Sequence, residues 1–112
     1  MSGRIAADAL IGCFETMLRE RWTYAYGAAR EGCVDCSGAF VYAFKKLGGS
    51  AIEHGSNAIA RKRVGAMMPV DCARPGWAAF KWKAAGEPEK YTDGKGNYFH
   101  IGLVDGTGRY VL

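Results

Sequence analysis

The sequence predicts an α+β domain with N-terminal helices packed on an antiparallel sheet. Three observations carry that prediction. Apolar residues recur at helical spacing in two early stretches, 6–21 and 36–47. Aromatic and apolar residues gather late, in 77–83, 98–104 and 109–112, each next to turn residues. Between and around them lie Gly, Pro, Asp and Lys at turn-like density. At 112 residues the chain is expected to form a single domain, 1–112, with one modest core.

The first helix is expected over 6–21. Ala7, Leu10, Ile11, Phe14 and Leu18 mark its apolar face, with Cys13 and Met17 beside or on that face and read as core. Residues 22–27 are aromatic and irregular, and 28–32 read as a loop leading to the next helix. That helix, 36–47, has Asp35 as N-cap. Phe40, Val41, Phe44 and Leu47 share a face, Lys45 and Lys46 fill the last turn, and Gly48-Gly49 ends it. A short third helix is expected to start at Ser56 as N-cap and run through Ala58, Ile59 and Arg63. His54, in the turn before it, is expected to be a solvated loop histidine. Strands follow at 77–83 and 98–104, separated by a long exposed loop over 84–97. A turn at Gly106-Thr107-Gly108 leads to a strand from Arg109, pairing with 98–104 as a hairpin. Leu112 falls inside that strand, so the domain is expected to lack its last strands.

Composition narrows the function classes. The hydrophobic fraction is ordinary for a globular protein, and no apolar run is long enough to cross a bilayer. The stretch after Arg4 is broken by Asp8, Gly12 and Glu15 and has no secretory h-region or cleavage site. The net charge is +4. Arg61, Lys62, Arg63, Lys81, Lys83, Lys90 and Lys95 supply much of the basic character and read mostly as solvated surface. A basic surface suits an anionic polymer such as bacterial cell wall. No basic stripe interleaved with aromatics supports nucleic acid as a partner, and no membrane partner is expected.

The chemistry converges on Cys36. A cysteine in the first turn of a helix faces unpaired N–H groups and the positive end of the helix dipole, which favour the thiolate. The plain alternative is a small buried residue packing as a hydrophobe. Cys33 and Cys36 also form a C-x-x-C, and with Cys72 and either His54 or His100 a zinc site can be written. No second paired motif follows, and no strand is expected before Cys33 to support a dithiol redox motif. A cysteine nucleophile needs a base within hydrogen-bond reach, usually histidine. His100, on a strand continuing into Ile101-Gly102-Leu103, is the candidate; a satisfied core or surface histidine is the alternative.

Three stretches carry a resemblance: Tyr24-Ala25-Tyr26-Gly27, then Asp35-Cys36-Ser37-Gly38, then His100-Ile101-Gly102-Leu103-Val104. Their order and content resemble the NlpC-type cell-wall cysteine peptidases, which are papain-like. The segment from Pro75 to Trp82 and the loop after it are most similar to the versions in phage and prophage lysins. The resemblance spans about Trp22 to Leu112. It implies a papain-like NlpC fold and a peptidoglycan hydrolase that cleaves stem peptides through a thioester. It implies Cys36 as nucleophile, His100 as general base and Tyr24 near the oxyanion. Asp35 and Ser37 would contact the free amine end of a stem peptide, and Ser56 would be a substrate-contacting serine. No metal or cofactor is implied. The protein would be made in the cytoplasm and act at the bacterial wall, released as a lysin or carried on a phage tail, with a wall-binding domain as a possible fusion partner. Alternatives on the same fold are a catalytically inactive wall-binding module and an amidase acting on the muramoyl-peptide bond. The chain departs from the family pattern at three places. Ala28 stands where a second glycine often follows Gly27. Cys33 lies beside the motif and could pair with Cys36 on oxidation. The family's third polar residue has no counterpart up to Leu112 and is expected beyond it.

Overall fold

The computed structural model describes residues 6–64, 67–68, 72–84, 93, 95–105 and 110–111. It is an α+β arrangement of three helices and two small three-stranded sheets. Among the described residues no helix is long and apolar enough to cross a membrane.

Helix α1 spans Ala7–Arg19 and buries Leu10, Ile11, Phe14 and Met17. These positions lie three and four apart, which puts them on one face. Leu18, expected on that face, is 59% exposed instead, and Met17 fills the position. The helix ends in a Schellman turn: Trp22 N–H donates to Met17 C=O (3.1 Å) and Arg21 N–H to Leu18 C=O (3.1 Å). Arg21 takes the left-handed conformation (φ 55°) that glycine fills more easily.

Residues 22–34, expected to be irregular, hold a small sheet. Strands β1 (Thr23–Tyr24), β2 (Ala29–Arg30) and β3 (Cys33–Val34) are ordered β1-β3-β2. Strand β3 runs parallel to β1, with Tyr24 beside Val34, and antiparallel to β2. Two-residue strands give no usable alternation, which hides them from periodicity.

Helix α2 spans Cys36–Lys46. It buries Ser37, Gly38, Ala39, Phe40 and Ala43, so of the Phe40–Val41–Phe44–Leu47 face expected from spacing only Phe40 is buried. Val41, Phe44 and Leu47 are only half-buried. Small residues turn inward because α2 packs against both α1 and the second sheet, and close approach excludes bulk. Phe14 and Phe40 meet edge to face at 4.9 Å. The helix closes on Gly48, whose N–H donates to Lys45 C=O while Gly49 N–H donates to Phe44 C=O.

Helix α3 covers Ser56–Lys62. The second sheet is antiparallel, ordered β4-β5-β6, from Ala78–Lys83, Asn97–Val104 and Tyr110–Val111. The hairpin expected between β5 and the last strand is present, pairing Leu103 with Val111 and Val104 with Tyr110. The turn at 106–109 and most of the loop at 84–97 lie outside the described residues. Ile101 and Leu103 of β5 are fully buried and join Val34, Ala39, Ala43, Ile59 and the α1 face in one core.

Candidate functional site

Asp35 builds one wall. It is the N-cap of α2: its Oδ1 accepts from Gly38 N–H at 2.7 Å. Its Oδ2 accepts from Gly27 N–H at 2.6 Å, closing the turn after β1. Gly38 is required there by space. A Cβ at this position would overlap the Ala28 carbonyl oxygen and sit 2.8 Å from Asp35 Oδ1. The same Ala28 carbonyl accepts from Asp35 N–H at 2.9 Å. The Asp-Cys-Ser-Gly stretch is thus a tightly fitted corner between the small sheet and α2.

The corner leaves Cys36 partly exposed in the first turn of α2. Its backbone N–H donates to the Tyr24 hydroxyl at 3.2 Å. Parallel pairing of β1 with β3 brings Tyr24 alongside, two residues from Cys36 in register. Tyr24 is exposed as a whole, but partial desolvation of its hydroxyl end raises the phenol and its contact with Cys36 adds to that, so the hydroxyl keeps its proton. Ser37 is buried, with Oγ 3.5 Å from Asp35 Oδ1.

Asp35 is buried, and burial alone would raise its carboxyl. The hydrogen bond from His54, with those from Gly27 and Gly38, outweighs burial and holds it below its ordinary value. His54 Nε2 lies 2.8 Å from Asp35 Oδ1. A carboxylate only accepts, so the imidazole carries a hydrogen on Nε2 and donates. His54 is an exposed loop histidine, as expected, but it is more than that: its side chain is 32% exposed and bonded across the site. Its partner lies 19 residues away, and no local pattern announces it.

The opposite wall is β5. His100 sits directly across from Lys81 on β4. Burial lowers its pKa, and the Lys81 charge lowers it further, so the neutral imidazole is favoured. Helix α3 fastens this strand two residues earlier. Ser56 Oγ donates to Tyr98 C=O (2.6 Å), and Tyr98 N–H donates to Asn57 Oδ1 (2.8 Å). Asn57 Nδ2 donates to Asn97 Oδ1 (2.7 Å), and Arg61 donates to Asn57 Oδ1 and to Gly96 C=O, both at 2.7 Å. Ser56 is therefore not the N-cap of α3. Gly55 holds that position, and the Ser56 hydroxyl is turned to β5.

One of the basic residues needs a correction as well. Arg61, largely buried, pairs with Asp93 (2.7 Å) and acts as a strut, while Arg63 pairs with Glu53 (2.9 Å) and stays exposed at the surface.

The two walls enclose a cleft of about 490 Å³. It is lined by Tyr24, Asp35, Cys36, Ser37, Ser56 and His100, every site residue expected from the sequence, together with His54. The other thiols stand apart from it: Cys33 is buried, Cys72 is exposed, and Cys13 is half-buried with a pKa raised by burial. Among the described residues no cluster of three or more His, Cys, Asp or Glu is arranged to hold a metal ion.

What the arrangement supplies is a thiol, a neutral imidazole, a hydroxyl beside a backbone N–H, and a buried carboxylate, all around one opening. No family model matches the chain, and no curated protein matches it at a significant level.

Proposed function

We propose that the chain is a papain-like, NlpC-type cysteine peptidase that hydrolyses stem peptides of the bacterial cell wall. One observation carries this reading: Cys36 in the first turn of α2 and His100 on β5, 64 positions apart in sequence, line the same cleft. The three motifs of the family resemblance meet there, from β1, the start of α2 and β5.

Catalysis then runs as acyl transfer. His100 takes the Cys36 thiol proton, and Sγ attacks the carbonyl carbon of the scissile amide. The carbonyl oxygen gains charge beside the Cys36 N–H and the Tyr24 hydroxyl. These two now bond each other at 3.2 Å and turn to the oxyanion as it forms. The His100 imidazolium gives its proton to the leaving amine as the C–N bond breaks, leaving an acyl thioester on Cys36. Water, deprotonated by neutral His100, attacks the thioester, releases the carboxylic acid and restores the thiol. Asp35, with its lowered pKa, stays anionic and is the counter-charge for a substrate amine. The net basic charge suits an anionic wall, and the phage-lysin resemblance supports action there.

The test is release of peptides from purified peptidoglycan, read by mass spectrometry. The expected result is new peptide termini with the wild-type chain and none with Cys36→Ala or His100→Ala. Lysis that survives Cys36→Ala overturns the thiol mechanism. Wall binding without new termini favours the binding-module alternative.

A further inference from the structure

Asp35 has little acceptor capacity to spare. A carboxylate offers about four lone-pair sites on its two oxygens. Gly27 N–H takes Oδ2 at 2.6 Å. Gly38 N–H (2.7 Å), His54 Nε2 (2.8 Å) and, more distantly, Ser37 Oγ (3.5 Å) converge on Oδ1. The two backbone donors cap α2 and close the turn after β1, so they cannot leave without unfolding the corner. Ser37 is buried. Among the described residues His54 is the one exposed side-chain donor on Asp35, and it comes from the segment before α3, outside the corner. Asp35 and His54 both line the cleft, so a ligand ammonium that reaches Oδ1 meets an oxygen already bonded to the imidazole.

We infer that His54 competes with the substrate amine for Asp35 and so lowers the site's affinity for a free amine. It rests on the peptidase reading above, which gives the cleft a ligand with a free amine. His54 Nε2–H occupies the acceptor direction that the ammonium needs, and it has to rotate away before the ammonium can bind Oδ1. The exchange replaces one donor by another, so it costs affinity without costing Asp35 its hydrogen bonds. Its consequence is a higher threshold for free amines. An amine is admitted only when its charge-assisted bond to the carboxylate exceeds the imidazole's. An acylated amine, with no charge and one donor, gains nothing by displacing His54.

The experiment uses two probes, the dipeptide L-Ala-D-Glu and its N-acetyl form, titrated calorimetrically into the full chain carrying Cys36→Ala. That substitution prevents turnover and leaves the backbone N–H in place. The same titrations are run with His54→Ala and with His54→Gln added. The expected result is about tenfold tighter binding of the free-amine dipeptide when His54 becomes Ala, a gain of one charge-assisted hydrogen bond's order. The N-acetyl dipeptide is expected to show no change. His54→Gln, which keeps a side-chain donor for Asp35, is expected to bind as His54 does. Thermal unfolding of each variant confirms the fold. Equal or weaker free-amine binding in His54→Ala, with the parent binding the dipeptide, overturns the competition and leaves the peptidase reading standing. Binding of neither dipeptide by any variant overturns both.

Discussion

The two walls of the cleft are fixed by different means. On the Asp35–Cys36 side, one carboxylate gathers backbone donors from three and eight residues away, and the turn, the helix start and Cys36 are set together. On the His100 side, position comes from sheet register and from α3 side chains reaching about 40 residues along the chain to Asn97 and Tyr98. The first wall is local and written in a four-residue motif. The second is assembled from distant parts. A local corner has little freedom to adjust, so substitutions there act on folding. An assembled wall can shift, so substitutions there act on alignment.

Gly38→Ala tests the local wall most severely. Its Cβ would overlap the Ala28 carbonyl, a backbone atom that cannot move without opening β2 and β3. The expected loss is on the order of 3 kcal/mol or more, read as the urea midpoint. Gly48→Ala at the other end of the same helix is the control. Unlike Gly38, which has ordinary helical φ, Gly48 has positive φ (77°), and a Cβ there meets open space, so only the left-handed strain of about 1 kcal/mol is expected. A loss at Gly38 no larger than that at Gly48 would mean that the corner relaxes to admit a Cβ and that space does not select Gly38.

Asp35→Ala comes next, with an expected cost of about 2 kcal/mol, since it removes a cap and leaves two N–H groups without their acceptor. The sign of its pH dependence follows from its lowered carboxyl. The folded state binds the Asp35 proton less readily than the unfolded chain does. The contribution is therefore complete above the ordinary value of 3.8 and is lost as pH falls below it through the folded value. Urea midpoints between pH 7 and pH 2 are expected to show a smaller acid loss in Asp35→Ala than in wild type.

The same contrast governs what could be read from the sequence. Helices α1 and α2, the Asp35 cap, the Gly48 stop and the two long strands were legible, because each depends on residues a turn or a pleat apart. Tyr24, Cys36 and His100 were recognisable through motifs. The small sheet escaped because two-residue strands have no period. His54 escaped because its meaning depends on Asp35, and Ser56 was misassigned because its hydroxyl has a partner on β5, 42 residues away, that outweighs capping its own helix. Arg61 looked like surface charge because a basic cluster in sequence says nothing about which carboxylates fold back onto it.

Asn57→Ala addresses the assembled wall. It removes the acceptor for Tyr98 N–H and the donor to Asn97 in a buried setting, which costs about 1–3 kcal/mol. If α3 aligns β5, the loss of wall hydrolysis measured well below the unfolding temperature is expected to exceed the fraction unfolded. Activity that falls only with the folded fraction would make the network structural alone.

The smallest effect is expected at Lys81, and it isolates alignment from charge. Lys81 is exposed and lies across the β4–β5 ladder from His100, so Lys81→Ala should leave the sheet intact. Removing its charge is expected to raise the His100 pKa, measured by NMR titration of the imidazole. The rise should be partial, because burial is the larger cause of lowering and remains. The protonated fraction of His100 then grows at mildly acidic pH, and the acid limb of hydrolysis moves to higher pH. The alkaline side should stay where it is, since removing Lys81 touches neither Cys36 nor Tyr24. A His100 titration unchanged by Lys81→Ala would mean that the charge across the ladder is screened by solvent, and that burial on β5 alone keeps the base neutral.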